Sequence, residues 1–195
     1  MKKILMLALM LMVVCSVMAQ NSFKKYGVKS CIAKTQTSMG GGGAVTEGTL
    51  YIDDYGAFEC DIKKVVIPGF VSYDAGAVTR KDRVWIFSID EDGKVNAKES
   101  PNPTPDLNFL GITDSLKERY EMEDLGEEEY AGKKCHKYSY VILQNRKKVY
   151  WTVWAYKGIA MKSVAKQGRK ETVVEVVELK ENVPIPKDIL NLITP

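Results

Sequence analysis

A cysteine next to a histidine is the pattern in this sequence that most suggests nucleophilic catalysis. Cys135 is followed directly by His136, the single histidine of the chain. A thiol becomes a nucleophile when a histidine within hydrogen-bond reach takes its proton. The surrounding residues alternate as in a β-strand, however, where neighbouring side chains point to opposite faces. We therefore expect the two side chains to lie apart, with His136 as a structural or surface residue or, as an alternative, a ligand contact.

Other patterns that could carry chemistry are weaker. The glycine run at residues 40–43 lacks a following Lys-Ser or Lys-Thr, so it predicts a loop rather than a phosphate cradle. The acidic turn at residues 90–93 lacks the ligand spacing of an EF-hand. With one histidine, a Ser-His-Asp type of triad cannot be assembled convincingly. We expect no metal, no cofactor and no enzymatic activity, while a Ser-Lys or carboxylate-pair enzyme stays open.

Aromatic residues carry the strongest functional signal. Large rings line ligand pockets, but they also fill ordinary β cores. The strand predicted at residues 148–156 has large apolar side chains on both faces. In a sheet with one solvent-exposed face, large apolar side chains should lie on the buried face only. We therefore predict a ligand groove, with plain core packing as the alternative. Its candidate lining residues are Trp85, Phe87, Phe109, Trp151, Trp154 and Tyr156.

Three cysteines follow the first 19 residues: Cys31, Cys60 and Cys135. The pattern places Cys31 and Cys60 on the first and third strands of a meander. Two strand spacings amount to roughly 9.5 Å, whereas a disulfide tolerates a Cα separation of up to roughly 7 Å. We therefore predict that Cys31 and Cys60 are not bonded to each other, and that Cys60 acts as a small buried apolar residue.

The amino terminus resembles a secretory signal peptide. Lys2 and Lys3 precede an apolar run over residues 4–17, which is shorter than the roughly 20 residues of a membrane-spanning helix. Small residues near position 19 predict cleavage after Ala19, which leaves residues 20–195 as a single domain that is periplasmic or secreted. Lipidation at Cys15 is the minor alternative, because the bulky Val14 precedes it. Any membrane contact should be peripheral.

Charge and composition narrow the partners. The chain has 195 residues, of which 45% are hydrophobic, enough for one buried core. Its 28 Lys and Arg residues are interspersed with 25 Asp and Glu residues, for a formal charge of +3. Nucleic-acid binders concentrate positive charge in a stripe or patch. We therefore expect no nucleic-acid partner.

Short alternating apolar runs separated by turns predict an antiparallel β protein. Two hairpins are expected, around the turns at residues 54–56 and 90–93, where Gly56 takes a positive φ. The predicted strands cover residues 26–37, 45–53, 57–66, 83–89, 94–98, 133–143, 148–156, 159–166 and 170–180. Their short connections exclude parallel crossovers, so the simplest assembly is one large sheet.

Helical signals are few. One helix is predicted over residues 114–125, with Thr113 or Asp114 as N-cap and Gly126 as the stop. A short helical turn is predicted at residues 187–193, and the prolines of residues 100–105 predict an extended linker. The helix, the loop at residues 106–112 or a ligand could cover the second face of the sheet.

Several segments resemble an uncharacterised family of exported bacterial proteins. They are residues 51–58 (YIDDYGAF), 130–140 (YAGKKCHKYSY), 150–162 (YWTVWAYKGIAMK) and 182–195 (NVPIPKDILNLITP). Such proteins are similar in layout to the periplasmic lipoprotein carriers LolA and LolB. The resemblance implies a mainly β (α+β) fold: one large curved antiparallel sheet, a half-barrel, with one or two helices on its concave face.

The leading hypothesis for function combines this resemblance with the two-sided strand. It is an exported, non-enzymatic protein that holds an acyl chain, a lipid or a lipidated peptide in an apolar groove. Binding by apolar burial alone would make selectivity for head groups weak. The alternative is an interaction module without a ligand cavity, which would bind a protein partner at the cell envelope.

Overall fold

The structure is a computed structural model that describes residues 24–40, 45–66, 72–102, 104 and 107–193. The predicted signal peptide, cleavage after Ala19 and the alternative at Cys15 lie outside these residues. Most of the glycine run at 40–43 and part of the linker at 100–105 also lie outside them. A search of the described residues finds no helix with the length and apolar character needed to cross a bilayer.

In the described part of the chain, eleven strands form one antiparallel sheet, which confirms the predicted fold class. The strands are β1 (Cys31–Met39), β2 (Thr46–Asp53), β3 (Phe58–Val66), β4 (Ser72–Arg80), β5 (Arg83–Ile89), β6 (Val95–Ser100), β7 (Glu123–Tyr130), β8 (Lys133–Gln144), β9 (Lys147–Tyr156), β10 (Ile159–Gln167) and β11 (Lys170–Glu181). Their order across the sheet is β6-β5-β4-β3-β2-β1-β11-β10-β9-β8-β7. Consecutive strands therefore pair within each half, and β1 and β11 join the halves.

Both predicted hairpins are present. Between β2 and β3, a turn of 3-10 helix at Asp54–Gly56 places Gly56 at φ +98°, a conformation that glycine adopts without strain. Between β5 and β6, the Asp90 carbonyl accepts the Gly93 amide at 3.0 Å, and the Asp90 carboxylate accepts the Lys94 amide at 2.8 Å. The acidic residues here close a turn.

The helix predicted over residues 114–125 is wrong in its length. Helix α1 comprises Asp114–Arg119, and the hydroxyl of its N-cap Thr113 accepts the Leu116 amide at 3.3 Å. Glu121 then adopts φ +46°, a left-handed conformation that a right-handed helix cannot continue through. Of the two predicted N-caps, Thr113 is the one observed, and the helix ends after six residues.

The remainder of that stretch is β7, an edge strand of the sheet. Gly126 therefore does not stop a helix: it lies at φ +86° in the register shift between Asp124 and Glu127, where β7 bulges away from its pairing with β8. Exposed glutamates are compatible with an edge strand and with a helix surface, so their spacing does not distinguish a strand from a helix here. The acidic residues 127–129 are exposed along this edge.

Two further strand boundaries differ from the prediction. Strand β1 begins at Cys31, after an N-terminal segment at residues 24–30 that is not a strand. Strand β4 (Ser72–Arg80) was not predicted, because its centre, Ala-Gly-Ala, has low β propensity. A Cβ at Gly76 would collide with the Asp61 carbonyl oxygen on β3, so the close approach of these strands requires glycine.

Strand β1 distinguishes the two faces of the sheet. Cys31, Ala33 and Thr35 are buried on what we call the front face, whereas Lys34 and Gln36 are exposed on the back face. Side chains alternate along a strand, and residues directly opposite each other on neighbouring strands share a face. The register of the pairs therefore assigns each strand position to the front or the back face, wherever the pairing from β1 to that position contains no register shift.

Helix α1 and the loop at residues 107–112 cover the front face of β8 and β9. Register links Val153 to Thr37 of β1 through Ser163 and Val174, which places this packing on the front. The front cluster comprises Leu107, Phe109, Ile112, Leu116, Tyr120, Met122, Tyr138, Tyr140, Ile142, Trp151, Val153, Ala155 and Ala160.

The C-terminal segment, residues 183–193, covers the back face of β3 to β5. It contains helix α2 (Lys187–Leu190), within the helical turn predicted at residues 187–193. Register links Trp85 to Ile32 of β1 through β2, β3 and β4, so this packing lies on the back. The back cluster comprises Ile32, Tyr51, Phe58, Cys60, Ile62, Val78, Trp85, Phe87, Ile89, Val95, Ile185, Ile189, Leu190, Leu192 and Ile193. The two short helices therefore lie on opposite faces.

The N-terminal segment connects the two halves of the sheet. The Gly27 amide donates to the Lys157 carbonyl at 2.8 Å, whereas the amides of Lys25 and Tyr26 donate to the Tyr55 carbonyl at 2.9 and 3.2 Å. Its apolar side chains belong to a central cluster that comprises Tyr26, Val28, Cys31, Ala33, Leu50, Ile52, Tyr130, Cys135, Trp154, Tyr156, Ile159, Met161, Val176 and Leu179.

Candidate functional site

The six aromatic residues predicted to line one groove fall into three pairs. Trp85 and Phe87 belong to the back cluster, Phe109 and Trp151 to the front cluster, and Trp154 and Tyr156 to the central cluster. Each pair is brought together by its own elements. The structure therefore places the six residues in three surroundings.

The first pair lies beneath the C-terminal segment. Trp85 and Phe87 are both buried on the back face of β5. The Arg80 guanidinium holds the covering segment, because its Nη2 donates to the Leu190 carbonyl at 2.5 Å and to the Ile193 carbonyl at 3.2 Å. At its other end the segment is held by the Ser30 hydroxyl, which donates to the Val183 carbonyl at 2.6 Å, so this pair is enclosed.

The second pair is part of a stack of rings beneath α1. Phe109 packs against Tyr138 with ring centroids 6.0 Å apart, and against Tyr140 at 5.7 Å. Trp151 stacks on Tyr140 at 6.0 Å with an interplanar angle of 8°. These contacts fill the space between the loop and the sheet, as in a protein core.

The third pair points to the other side of β9 from Trp151. Lys137 lies 4.5 Å from the Trp154 ring centroid and Lys162 lies 5.6 Å from it. Lys133 and Lys157 flank Tyr156 in the same way, at 4.9 and 5.0 Å. Trp154 and Tyr156 are therefore enclosed by lysine side chains through cation–π contacts.

An open groove of about 580 Å³ lies on the back of β1 to β4 and beside β11, and none of the six predicted residues lines it. Its lining residues are Lys34, Thr35, Gln36, Glu47, Gly48, Thr49, Tyr51, Ile62, Lys64, Asp74 and Val177. Val177 is the extra residue where β11 shifts register against β1, and it is exposed. We call this feature the back groove.

The side chains of the back groove change in character along the strands. Lys64 on β3 lies directly opposite Asp74 on β4. On the other side of β3, Gly48 of β2 pairs with Lys63, so the residue before Gly48, Glu47, lies beside Lys64. This charged row spans three strands. Two residues further along β3 comes Ile62, a rise of roughly 7 Å.

Beyond Ile62 the groove meets apolar packing. Tyr51 lies directly opposite Cys60, which in turn lies opposite Val78, and these side chains belong to the back cluster. Tyr51 and Ile62 belong to both the groove and that cluster. The back groove is therefore charged at one end and continuous with the apolar packing under the C-terminal segment at the other.

One charge of the groove wall is already paired. Lys34 Nζ lies 2.7 Å from a Glu178 oxygen. Hydrogen bonds from Lys34 and then from Lys180 lower the pKa of Glu178 to about 2, from an ordinary value of 4.5.

The sequence does not reveal the back groove. Strand β4, which supplies Asp74, was not predicted. The register shift that exposes Val177 also has no signature in the sequence pattern.

The cysteine and histidine of β8 lie apart, as predicted. Cys135 is buried in the central cluster, while His136 is partly exposed, stacks on Tyr138 at 5.1 Å and has its Nε2 3.2 Å from an Asp124 oxygen. Burial raises the pKa of the Cys135 thiol. Among the described residues, no three histidine, cysteine, aspartate or glutamate side chains are placed to share a metal ion.

The other two cysteines are also buried as free thiols. Cys31 lies on β1 and Cys60 on β3, with β2 between them, so the strand order behind the predicted lack of a bond is confirmed. Burial raises the pKa of each of these two thiols to about 12. Neither Cys31 nor Cys60 is suited to act as a nucleophile near neutral pH.

No family model and no curated protein matches the chain. Solved structures that the chain matches include PNGF-II in its C2 crystal form, with a TM-score of 0.48 and 11% identity over 82% of this chain and 29% of that chain. LprF from Mycobacterium bovis has a TM-score of 0.40 and 11% identity over 83% of this chain and 90% of that one. The lipoprotein LppX from Mycobacterium tuberculosis has a TM-score of 0.36 and 15% identity over 82% and 91%.

The fold and the groove together define a mainly β protein with one open antiparallel sheet and an amphipathic surface groove. This sheet is what the resemblance to exported bacterial proteins implied, while membership of that family stays a prediction.

Proposed function

We propose that the protein is a non-enzymatic binding protein that holds the acyl chain of a lipid or a lipidated peptide in the back groove. The observation that carries this proposal is the continuity between the groove and the back cluster through Tyr51 and Ile62. A ligand with a polar head and an apolar chain matches a groove that is charged at one end and apolar at the other.

The size and energetics of the groove support this class of ligand. Its volume of about 580 Å³ lies within the range of roughly 300–1,000 Å³ that small-molecule sites occupy. Burial of apolar area contributes about 25 cal/mol per Å², so a chain laid over Ile62 and Tyr51 would supply most of the affinity. Trp85 and Phe87, beyond Tyr51, form the deep end of this apolar region.

The proposal gives the other four predicted residues a packing role. Phe109 and Trp151 are held in the front cluster, and Trp154 and Tyr156 lie among lysines, away from the back groove. The absence of catalysis is part of the proposal and is supported by the separation of Cys135 from His136. Export to the periplasm or beyond is also part of it and rests on the amino-terminal pattern of residues 1–19.

The first test is native mass spectrometry. The chain from Gln20 onward is purified from its export compartment without detergent, and its native mass is compared with its denatured mass. We expect a bound species of lipid mass that is released on denaturation. A clean native mass together with no binding of a fluorescent acyl probe would overturn the proposal and favour the interaction module.

A matched pair of variants locates the site. Ile62→Asp places a charge in the apolar part of the groove, whereas Ile86→Asp places one on the front face of β5, where Ile86 is 56% exposed. We expect the first variant to lower acyl-probe affinity at least tenfold and the second to leave it unchanged, with both folded by circular dichroism. Equal affinity of the two variants would remove the ligand from the back groove.

A further inference from the structure

The charged row of the back groove carries information about the head group of the ligand. We propose that the groove selects a zwitterionic head, one that carries a phosphate and an ammonium group on the same acyl-bearing molecule. This inference rests on the proposed function, because it assigns the polar end of the same ligand. It adds a selectivity that apolar burial alone does not supply.

Lys64 is the cation that can receive the phosphate. It is exposed on β3, and among the described residues no ion pair engages its ammonium group. Lys34, the other lysine of the groove, is already paired with Glu178 at 2.7 Å. A phosphate that enters the groove therefore meets one unpaired positive charge, and its position is at the centre of the charged row.

Two carboxylates flank that cation. Asp74 lies directly opposite Lys64 on β4, and Glu47 lies on β2 on the other side. Both are exposed, and neither makes an ion pair within the part of the chain that the structure describes. Neighbouring strands are roughly 4.8 Å apart, so negative, positive and negative side chains follow one another at that spacing across the groove.

This alternation discriminates between head groups because a bound ligand removes water from the row. A charge that loses water without gaining a partner is destabilised. An anionic head offers a partner to Lys64 but brings a like charge towards Glu47 and Asp74. A cationic head does the reverse. A zwitterionic head supplies partners of both signs, and its acyl chain then extends towards Ile62 and Tyr51.

The test uses three probes with the same saturated acyl or alkyl chain, each below its micelle concentration: a lysophosphatidylethanolamine, a lysophosphatidylglycerol and an alkyl-trimethylammonium. Each competes with a fluorescent acyl probe for the folded chain from Gln20 onward. We expect the zwitterionic probe to bind about fivefold more tightly than the other two, which is the upper range for one exposed ion pair.

Charge variants then assign the partners. Lys64→Gln should weaken the zwitterionic and anionic probes and strengthen the cationic one, whereas Asp74→Asn should weaken the cationic probe and strengthen the anionic one. Lys98→Gln, on the opposite face of β6, is the matched control and should change none of the three affinities.

The outcomes separate the two proposals. If none of the three probes binds, the proposed acyl site fails and this inference fails with it. If all three bind with equal affinity, or if Lys64→Gln leaves their order unchanged, the zwitterionic selectivity is overturned while the acyl site stands.

Discussion

The front and back clusters are both apolar and differ in how they are closed. In the front cluster, stacked rings fill the space below α1, and the Val141 amide donates to the Tyr120 carbonyl at 2.7 Å, so backbone joins the cover to the sheet. In the back cluster, the cover is the C-terminal segment, held by side chains: Arg80 donates to its Leu190 and Ile193 carbonyls, and the Ser30 hydroxyl donates to its Val183 carbonyl. One side of the back cluster also borders an open groove.

Aromatic density alone therefore does not distinguish filled packing from an open groove. The front cluster contains more stacked rings than the back cluster, yet its rings are packed against one another beneath α1. The back groove begins where the apolar packing of β3 changes into the charged row at Lys64 and Asp74. The boundary between the two kinds of side chain is the informative feature.

The largest expected effect concerns the stability of the back cluster. Phe87 is 2% exposed, and Phe87→Ala should lower the free energy of unfolding by about 3–5 kcal/mol, because a buried ring is replaced by a cavity. Urea denaturation followed by fluorescence measures this. Tyr150→Ala, at a 55% exposed position on β9, is the control and should have a small effect. A loss below about 1 kcal/mol for Phe87→Ala would mean that the back cluster is loosely packed.

A smaller effect is expected at the attachment of the C-terminal segment. Arg80→Met should lower the free energy of unfolding by about 1.5–3 kcal/mol, since two hydrogen bonds from a charged donor are lost. Hydrogen exchange should become faster at the amides of Leu190 and Asn191. Arg83→Met changes an exposed arginine on the neighbouring strand and should leave these two amides protected. Unchanged exchange in Arg80→Met would show that apolar packing and the Ser30 hydrogen bond to Val183 hold the segment without Arg80.

Buried thiols should make the fold sensitive to alkaline pH. Burial first, and the nearby Asp61 second, raise the pKa of Cys60 to about 12 from an ordinary value of 9.0. The folded state therefore keeps its proton where the unfolded thiol loses it, so the stability is complete below about pH 9 and is lost as the pH rises towards 12. Denaturation of the wild type and of Cys60→Ala at pH 8 and pH 10 measures this. Equal pH dependence in both proteins would contradict it.

A modest effect is expected at Trp154. Trp154→Ala removes its cation–π contacts with Lys137 and Lys162, which account for about 1 kcal/mol of the expected loss in the free energy of unfolding, in addition to its packing on the central cluster. Acyl-probe affinity should stay the same, because this ring lies away from the back groove. A large loss of affinity in a folded Trp154→Ala variant would return the ligand to the central cluster and break the distinction between groove and core.

The smallest effect concerns the paired wall of the groove. The Glu178 carboxylate should titrate at about 2, because Lys34 and Lys180 donate hydrogen bonds to its ionised form. Its contribution to stability is therefore present above the ordinary glutamate pKa and is lost as the pH falls towards 2. A carboxyl NMR titration measures this pKa, and Lys34→Gln should raise it. An unchanged pKa in that variant would mean that Lys180 alone sets it.

The hairpins and most strands could be predicted because their information is local. Around Gly56 and around Asp90, a turn and two alternating flanks lie within about 20 residues. The separation of Cys135 and His136 likewise needed nothing beyond strand alternation. The long antiparallel run from β8 to β11 followed from the same short-range pattern.

The groove could not be predicted because its walls come from distant parts of the chain. Asp74 and Val177 line one surface although β4 and β11 are far apart in sequence, and the register shift that exposes Val177 arises from the pairing of β11 with β1. Gly76 lowers the β propensity of β4, yet it permits the close approach of β4 to β3. Helix α1 was overextended because β7 gains its stability from pairing with β8, which helical periodicity does not reveal.

The pairing of β1 with β11 places a constraint on how the molecule folds. Cys31 pairs with Glu181, a contact between residues about 150 positions apart, and this ladder is the one that unites the six strands from β1 to β6 with the five from β7 to β11. Folding through contacts so distant in sequence is slow. Until β11 is synthesised, β1 presents an unpaired backbone edge of the kind that recruits other chains into aggregates. Strand β11 therefore both joins the two halves of the sheet and protects the edge of β1.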